Sequence, residues 1–500
     1  MSLAIVYSRA KLGIEAPLVT VEVHLSNGLP ALSIVGLPEA AVKESKDRVR
    51  SAILNSYLEF PARRITVNLA PADLPKEGGR YDLAIALGIL AASGQIPLDS
   101  LQETEFLGEL ALSGELRGVN AALPASLAAC DAKRALIISR HNAAEAAMGS
   151  QTRVFAADSL LQVCAHLHGR EFLHQQISTK PVALEGGLDL ADVKGQLHAK
   201  RALEICASGG HNLLLYGPPG TGKTMLASRL AGLLPVLTER EMLDVAAIYS
   251  VASAESQLAL GQRPFRAPHH TSSAAALVGG GSNPKPGEIS LAHSGVLFLD
   301  ELPEFPRKVL EVLREPLENG EIRISRARAQ ACYPAKFQLI AAMNPCPCGY
   351  HGSDNSRCRC TSEQVRRYRD RLSGPLLDRI DMHVPVRALK QGELLTKQQH
   401  NEPSAIIRER VKKTRATQLH RQGKINHQLS ASELETYCAI SAQDSQFLEQ
   451  AIEKLGLSTR ALHRVLKLSR TLADMAEKEQ ISMAEISEAL SYRTLDRQVS

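Results

Sequence analysis

The run Leu213-Leu214-Leu215-Tyr216 passes directly into Gly217-Pro218-Pro219-Gly220-Thr221-Gly222-Lys223-Thr224, and Met225–Leu233 follows with helical spacing. Few folds accept that order. A continuously apolar run reads as a strand covered on both faces, which belongs in a parallel sheet flanked by helices. The glycines let the backbone wrap so that its N–H groups converge on an anion, and the helix N-terminus adds partial positive charge. With both flanks correct, G-x-x-x-x-G-K-[ST] is specific for a nucleoside triphosphate. Gly217, Pro218, Pro219, Gly220, Thr221, Gly222, Lys223 and Thr224 are therefore the expected ATP-binding residues. Lys223 places charge on the terminal phosphates and Thr224 offers its hydroxyl to Mg²⁺.

A second apolar run, Gly295–Leu299, ends in Asp300-Glu301. Acids at the carboxyl end of a central strand lie beside the phosphate crevice. Asp300 is expected to hold Mg²⁺, directly or through water, and Glu301 to act as general base on the attacking water or to orient it. A third run, Phe337–Ala342, ends in Met343-Asn344, whose amide can reach the γ-phosphate or that water.

The chain is 500 residues long, enough for roughly two to four domains. Residues 1–170 alternate strand-like runs (Ile65–Leu69, Ala135–Ile138) with helical stretches (Glu39–Asn55, Asp82–Ser93), which predicts a mixed α/β domain. Residues 171–187, with Pro181 and Gly186-Gly187, read as a linker; 188–385 carry the nucleotide chemistry; 386–500 are mostly helical, notably Ala405–Arg421 and Ser458–Ala476. The longest apolar stretch, near Leu83–Ala92, is about half of the ~20 residues a membrane helix needs. With no basic and apolar leader at Met1 and nine cysteines with no secretory pattern, the expectation is a cytoplasmic chain without membrane contact.

The strand ending in Asn344 resembles AAA+ ATPases, whose polar sensor 1 residue occupies this place. Gly374–Asp381 is similar to the AAA+ segment bearing the arginine finger, so the resemblance implies that Arg379 reaches the neighbouring subunit's ATP in a ring, a homo-hexamer. Ser458-Thr459-Arg460-Ala461 resembles the start of the sensor 2 helix, implying that Arg460 touches the nucleotide in cis. Asp192–Gln196 resembles the segment lining the adenine pocket, which brings in Gln196.

Between the P-loop helix and Asp300 lies Pro264–Ser273, followed by Gly279-Gly280-Gly281; the glycines and prolines predict a long loop. Before the Asn344 strand, Glu321–Gln330 alternates small or apolar residues with Arg323, Arg326 and Arg328, the pattern of a hairpin with a basic tip. Together these resemble the helix-2 insert and pre-sensor-1 hairpin of the AAA+ group containing magnesium chelatase and the MCM helicases. The three arginines at a ring pore would suit a DNA backbone, single-stranded or branched. Cys346-Pro347-Cys348 and Cys358-Arg359-Cys360 form two C-x-C pairs suited to a structural Zn²⁺, with His351 able to replace one ligand. From 361 to 430 there are fifteen Lys/Arg against seven Asp/Glu, an excess larger than the whole-chain charge of +5.

Asn68–Leu83 is similar to the active-site segment of the Lon protease domain, a ribosomal-S5-like α/β fold. The serine nucleophile would fall at about Arg80 and its lysine partner near Leu123, so serine–lysine proteolysis is not expected. Such a domain, followed by a magnesium-chelatase-like AAA+ module with a four-cysteine insert and a C-terminal helical lid, resembles the bacterial YifB/ComM family over nearly the whole chain. The match rests on Gly36–Glu39, Asp73–Asp82, Phe265–Gly281 and Asn344–Cys348. That resemblance implies a hexameric DNA motor with helicase or branch-migration activity, working with recombination proteins on incoming DNA in natural transformation. A chelatase-type metal-insertion ATPase, a protein-remodelling ATPase and a nucleotide-switched scaffold remain as alternatives.

Overall fold

A computed structural model describes residues 3–37, 39, 42, 44–149, 151–178, 188–252, 261–281, 284–325, 330–352, 357–388, 401–493 and 495. Alternating burial builds the first sheet. Val19, Val21 and Val23 fall on one face of their strand and are fully buried, while their neighbours are not. The strands are β1 (Leu3–Arg9), β2 (Leu18–Ser26), β3 (Ala31–Val35), β4 (Arg64–Ala70), β5 (Thr104–Leu107), β6 (Ala135–Ser139) and β7 (Val154–Ala157), in the order β3-β4-β2-β1-β5-β6-β7. Pairing is antiparallel for β1–β2 and β2–β4 and parallel elsewhere. Helices α1 (Ser45–Asn55), α2 (Asp82–Ala92) and α3 (Ala122–Asp131) pack with this sheet, alongside the shorter helices Arg140–Ala146 and Leu160–Leu167. Every residue of α2 is buried, and Gly88 lets it approach the sheet: a Cβ there would lie 2.5 Å from Val23 Cγ2. The expected linker begins on the sheet, because Gln176 N donates to Val154 O at 2.8 Å; 179–187 lie outside the described residues.

The second sheet carries the site. Its strands are β8 (Leu213–Tyr216), β9 (Phe265–Arg266), β10 (Val296–Leu299), β13 (Gln338–Met343) and β14 (Met382–Pro385), with the antiparallel hairpin β11 (Glu321–Ser325)–β12 (Gln330–Pro334) projecting between β10 and β13 in the chain. The order β9-β10-β13-β8-β14 is parallel throughout. The carboxyl ends of β10, β13 and β8 are therefore adjacent, and the three runs singled out by their terminal polar residues converge. Helices α4 (Leu197–Gly209), α5 (Lys223–Leu233) and α6 (Glu239–Ala252) flank it. The loop expected over 264–281 is more ordered than its glycines and prolines suggested. Phe265-Arg266 forms an edge strand on β10, and Ala274–Val278 is a short helix capped by the Ser273 side chain. Both pieces are too short to leave a periodicity in sequence.

Helix α7 (Ser362–Arg369) precedes β14, and the C-terminal part is helical as expected, with α8 (Ser404–Gln422), α9 (Thr459–Met475) and α10 (Met483–Ser491). Asp381 joins it to the sheet. Its buried carboxylate accepts from Asn212 N at 2.7 Å and pairs with Arg464 at 2.5 Å and His427 at 3.0 Å from the helical part. Burial alone would raise its pKa; Arg464 and His427 hold it well below the usual carboxylate range instead. The N-terminal domain rests on α6 through Ala121 N, which donates to Ser250 O at 3.1 Å, and on the hairpin base, where a Cβ on Gly13 would lie 3.2 Å from Ala331 Cβ. Among the described residues no helix is long and apolar enough to cross a membrane.

Candidate active site

The loop after β8 takes its shape from glycines at left-handed angles, Gly220 at φ +76° and Gly222 at φ +88°. Gly217 is needed for close approach, since a Cβ there would lie 2.1 Å from Val386 O. Lys223 opens α5, and its Nζ donates to Gly217 O and Pro218 O at 2.8 Å each and to Asn344 Oδ1 at 3.2 Å. Burial pushes the Lys223 pKa down, opposed by the nearby Asp300 and Glu301 carboxylates. Thr224 Oγ1 donates to Asp300 Oδ2 at 2.7 Å. Two hard oxygens at that spacing suit neighbouring corners of a Mg²⁺ octahedron, whose ligands at about 2.1 Å lie roughly 2.9 Å apart. The set fits the ion.

Glu301 is held in an unusual backbone state, φ +51° and ψ 47°, in a residue that is not glycine. Its N–H donates to Asp300 Oδ1 at 2.9 Å, and its exposed carboxylate lies 3.3 Å from His270 Nδ1. Strain of this kind collects where a side chain must be aimed. The sequence pointed to Glu301 but not to His270, whose signal was only its place in the loop after β9. Tyr368 was also missed. Its side chain is buried, which pushes its pKa up, and its hydroxyl lies near the Asn344 backbone N–H.

Gln196 donates to Thr221 O at 3.5 Å and to Arg387 O at 2.7 Å, tying the phosphate loop to the segment after β14. Arg379 is buried against its own chain: it pairs with Glu318 and donates to Pro375 O at 2.5 Å. Burial depresses its pKa, Glu318 opposes this, and the charges of Arg314 and Arg460 depress it further, so Arg460 lies within electrostatic reach of Arg379. Among the described residues neither arginine bonds to the phosphate loop of its own chain. Arg323, on β11, is exposed and pairs with Glu321 at 2.7 Å; Arg326 and Arg328 lie outside the described residues. Arg80 is buried with Nε and Nη2 unpaired, and Leu123 is buried and apolar, so neither position offers a nucleophile or base.

The four sulfurs of Cys346, Cys348, Cys358 and Cys360 lie within 4.8 Å of one another. Three of their separations are 3.3, 3.8 and 3.6 Å. A tetrahedral zinc with bonds of about 2.3 Å requires sulfurs roughly 3.8 Å apart, so the donor set fits. The insert packs on the phosphate loop: a Cβ on Gly349 would lie 2.7 Å from Pro219 Cδ.

Comparison with known proteins agrees with this layout. The family models described as "Subunit ChlI of Mg-chelatase", "Magnesium chelatase, subunit ChlI" and "Magnesium chelatase, subunit ChlI C-terminal" match residues 21–142, 189–394 and 401–493. The chain is 56% identical to Competence protein ComM of Haemophilus influenzae, covering 99% of this chain and 98% of that one. It is 52% identical to the uncharacterized protein YifB of Escherichia coli, with the same coverage of both. The Magnesium-chelatase 38 kDa subunit of Cereibacter sphaeroides is 27% identical over 31% of this chain and 51% of its own. Identity that spans both whole sequences, with the hydrolytic residues gathered at adjoining strand ends, places this chain in the YifB/ComM family of magnesium-chelatase-like AAA+ ATPases.

Proposed function

We propose that this chain is the subunit of a hexameric, ATP-driven DNA motor whose output is unwinding or branch migration of DNA taken up during natural transformation. The observation that carries it is the convergence of Lys223, Thr224, Asp300, Glu301 and Asn344 in a chain so similar to a competence protein. In this reading Glu301, positioned by its backbone and by His270, takes the proton of the attacking water, and Asn344 orients that water. Thr224 and Asp300 hold Mg²⁺, which when bound neutralises charge on the phosphate oxygens. Arg379 serves the neighbouring subunit's nucleotide once the Glu318 pair opens, and Arg460, at the start of the sensor 2 helix, touches the nucleotide in cis. Gln196 supports the nucleotide pocket. Cys346, Cys348, Cys358 and Cys360 hold a structural Zn²⁺, and the hairpin with Arg323, Arg326 and Arg328 lines the pore.

The same reading divides the chain into a Lon-like, S5-like domain at 1–170, a linker at 171–187, the AAA+ core at 188–385 with helix-2 insert and pre-sensor-1 hairpin, and a lid at 386–500, in the cytoplasm. The test is steady-state ATP turnover with and without single-stranded, duplex and branched DNA at two salt concentrations. Strong, salt-sensitive stimulation is expected in the wild type, and none in Lys223→Ala or Glu301→Gln, although the latter should still bind ATP. A wild-type rate indifferent to every DNA would reject the motor. Porphyrin-dependent turnover with a partner would then favour the chelatase reading, which rests on the weaker similarity to the chelatase subunit.

A further inference from the structure

The cysteine insert and α7 form one unit that touches all three parts of the ATP site. Gly349 lies on Pro219 of the phosphate loop. Tyr368 is buried beneath α7 with its hydroxyl near the Asn344 N–H, and the Arg371 guanidinium lies 5.8 Å from its ring centre. Arg371 donates to Pro303 O at 3.3 Å and to Glu304 at 2.8 Å, just beyond Asp300-Glu301. A capping box at Thr361 and Gln364 starts α7 directly after Cys360, which ties the helix to the cysteine cluster.

The outer side of this unit is strongly basic. Residues 357–371 hold six arginines against two acids. Arg357, Arg359, Arg366, Arg367 and Arg371 are exposed, and Arg366 is in no ion pair among the described residues. The Arg367–Glu363 and Arg371–Glu304 pairs are solvent-exposed, and such pairs open at little cost. An open cleft of about 600 Å³ runs between α7 and the segment after Glu301, where Arg307, Arg367 and Arg371 stand among Glu304, Asp370 and Phe305. Planar cations spaced along an exposed helix whose Val365 and Tyr368 are buried suit a phosphodiester backbone.

We propose that this face is a DNA-backbone contact, separate from the β11–β12 hairpin, and that it reports occupancy to the hydrolytic residues through Tyr368 and Gly349. The inference rests on the DNA-motor reading and names a contact surface within it. The group that reads phosphate is one helix away from the group that orients water, so a shift of α7 on binding bears on the Asn344 backbone through the buried Tyr368 and on the segment after Glu301 through Arg371. Tyr368 is in this sense a positioning residue.

The test uses the full chain and compares wild type, Arg366→Ala/Arg367→Ala, Arg366→Lys/Arg367→Lys and Tyr368→Phe. The readouts are the slope of log affinity against log salt for single-stranded DNA, the ratio of DNA-stimulated to DNA-free turnover, and the mass of the assembly. Two lost phosphate contacts should reduce the magnitude of the slope by about 1.4, and the lysine pair should restore it. Tyr368→Phe should keep the wild-type slope yet lose most of the stimulation. If wild type is neither bound nor stimulated, the motor reading itself fails. If wild type responds and the alanine pair matches it in slope and stimulation, the motor stands and this contact is refuted. A smaller assembly in the alanine pair would make the face a subunit interface and equally overturn the inference.

Discussion

Gly349→Ala separates contact from backbone cost. Gly349 has φ +86°, and an added Cβ would lie 2.7 Å from Pro219 Cδ and 3.2 Å from its Cγ. Carbon atoms rest at about 3.5–4.0 Å, so the two loops must part by about 1 Å. Pro219 sits inside the phosphate cradle, and a 1 Å misplacement at a reacting centre costs on the order of 10²-fold. Gly352 is the internal control: it lies in the same insert at φ +75°, with nothing within 4 Å of its would-be Cβ. Each variant carries the same left-handed backbone cost, about 1–2 kcal/mol. Only Gly349→Ala adds the collision. Steady-state phosphate release, with bound zinc and Tm measured on the same preparations, should show kcat/KM for ATP lowered about 10²-fold in Gly349→Ala. Gly352→Ala should stay close to wild type. Wild-type turnover in Gly349→Ala would refute the packing of the insert on the phosphate loop as a working contact. Equal losses in both would assign the effect to backbone strain.

Cys358→Ser should lower bound zinc from about one per chain to well below that, read by metal analysis after dialysis; unchanged metal would remove the cluster as its site. Mixing equal amounts of Lys223→Ala and Arg379→Ala chains should restore turnover to about a quarter of wild type, because that fraction of interfaces joins an intact loop to an intact arginine. Mixed assemblies as silent as either parent would show that Arg379 does not act across an interface. His293 is buried, and burial pushes its pKa down to about 4 from 6.5. Stability is then fully present above about pH 6.5 and is lost as pH falls through about 4, a loss on the order of 3 kcal/mol. The Tm of His293→Gln, whose amide oxygen can still accept from Lys336 N, should fall less steeply over that window than wild type; parallel curves would rule His293 out.

Much of the catalytic core was legible because each part announces itself locally. Apolar runs ending in Lys-Thr, Asp-Glu and Asn mark strand ends, and a parallel sheet brings such ends together. Helices α8 and α9 were equally readable, being long and free of internal Pro and Gly. What the sequence hid is what depends on distant pairing. Phe265-Arg266 is two residues long and is a strand only because β10 lies beside it. His270 and Tyr368 gained roles from neighbours distant in sequence, and no spacing rule reaches across such gaps. Arg379 and Arg460 were each expected at a nucleotide, but their closeness to one another is visible only when the helical part folds onto the strand ends.

Asp381 has a mechanical consequence. A carboxylate gripped by the backbone before β8 and by two cationic or polar side chains from the helical part acts as a rivet between two plates. Prising them apart would strand a buried charge, a loss of several kcal/mol. The core and the helices behind it should therefore travel as one rigid tile. If such tiles assemble into the proposed ring, the stroke that follows hydrolysis has to be taken up at the seams between chains, where the proposal brings Arg379 to a neighbour's nucleotide, and not by flexing within any one of them.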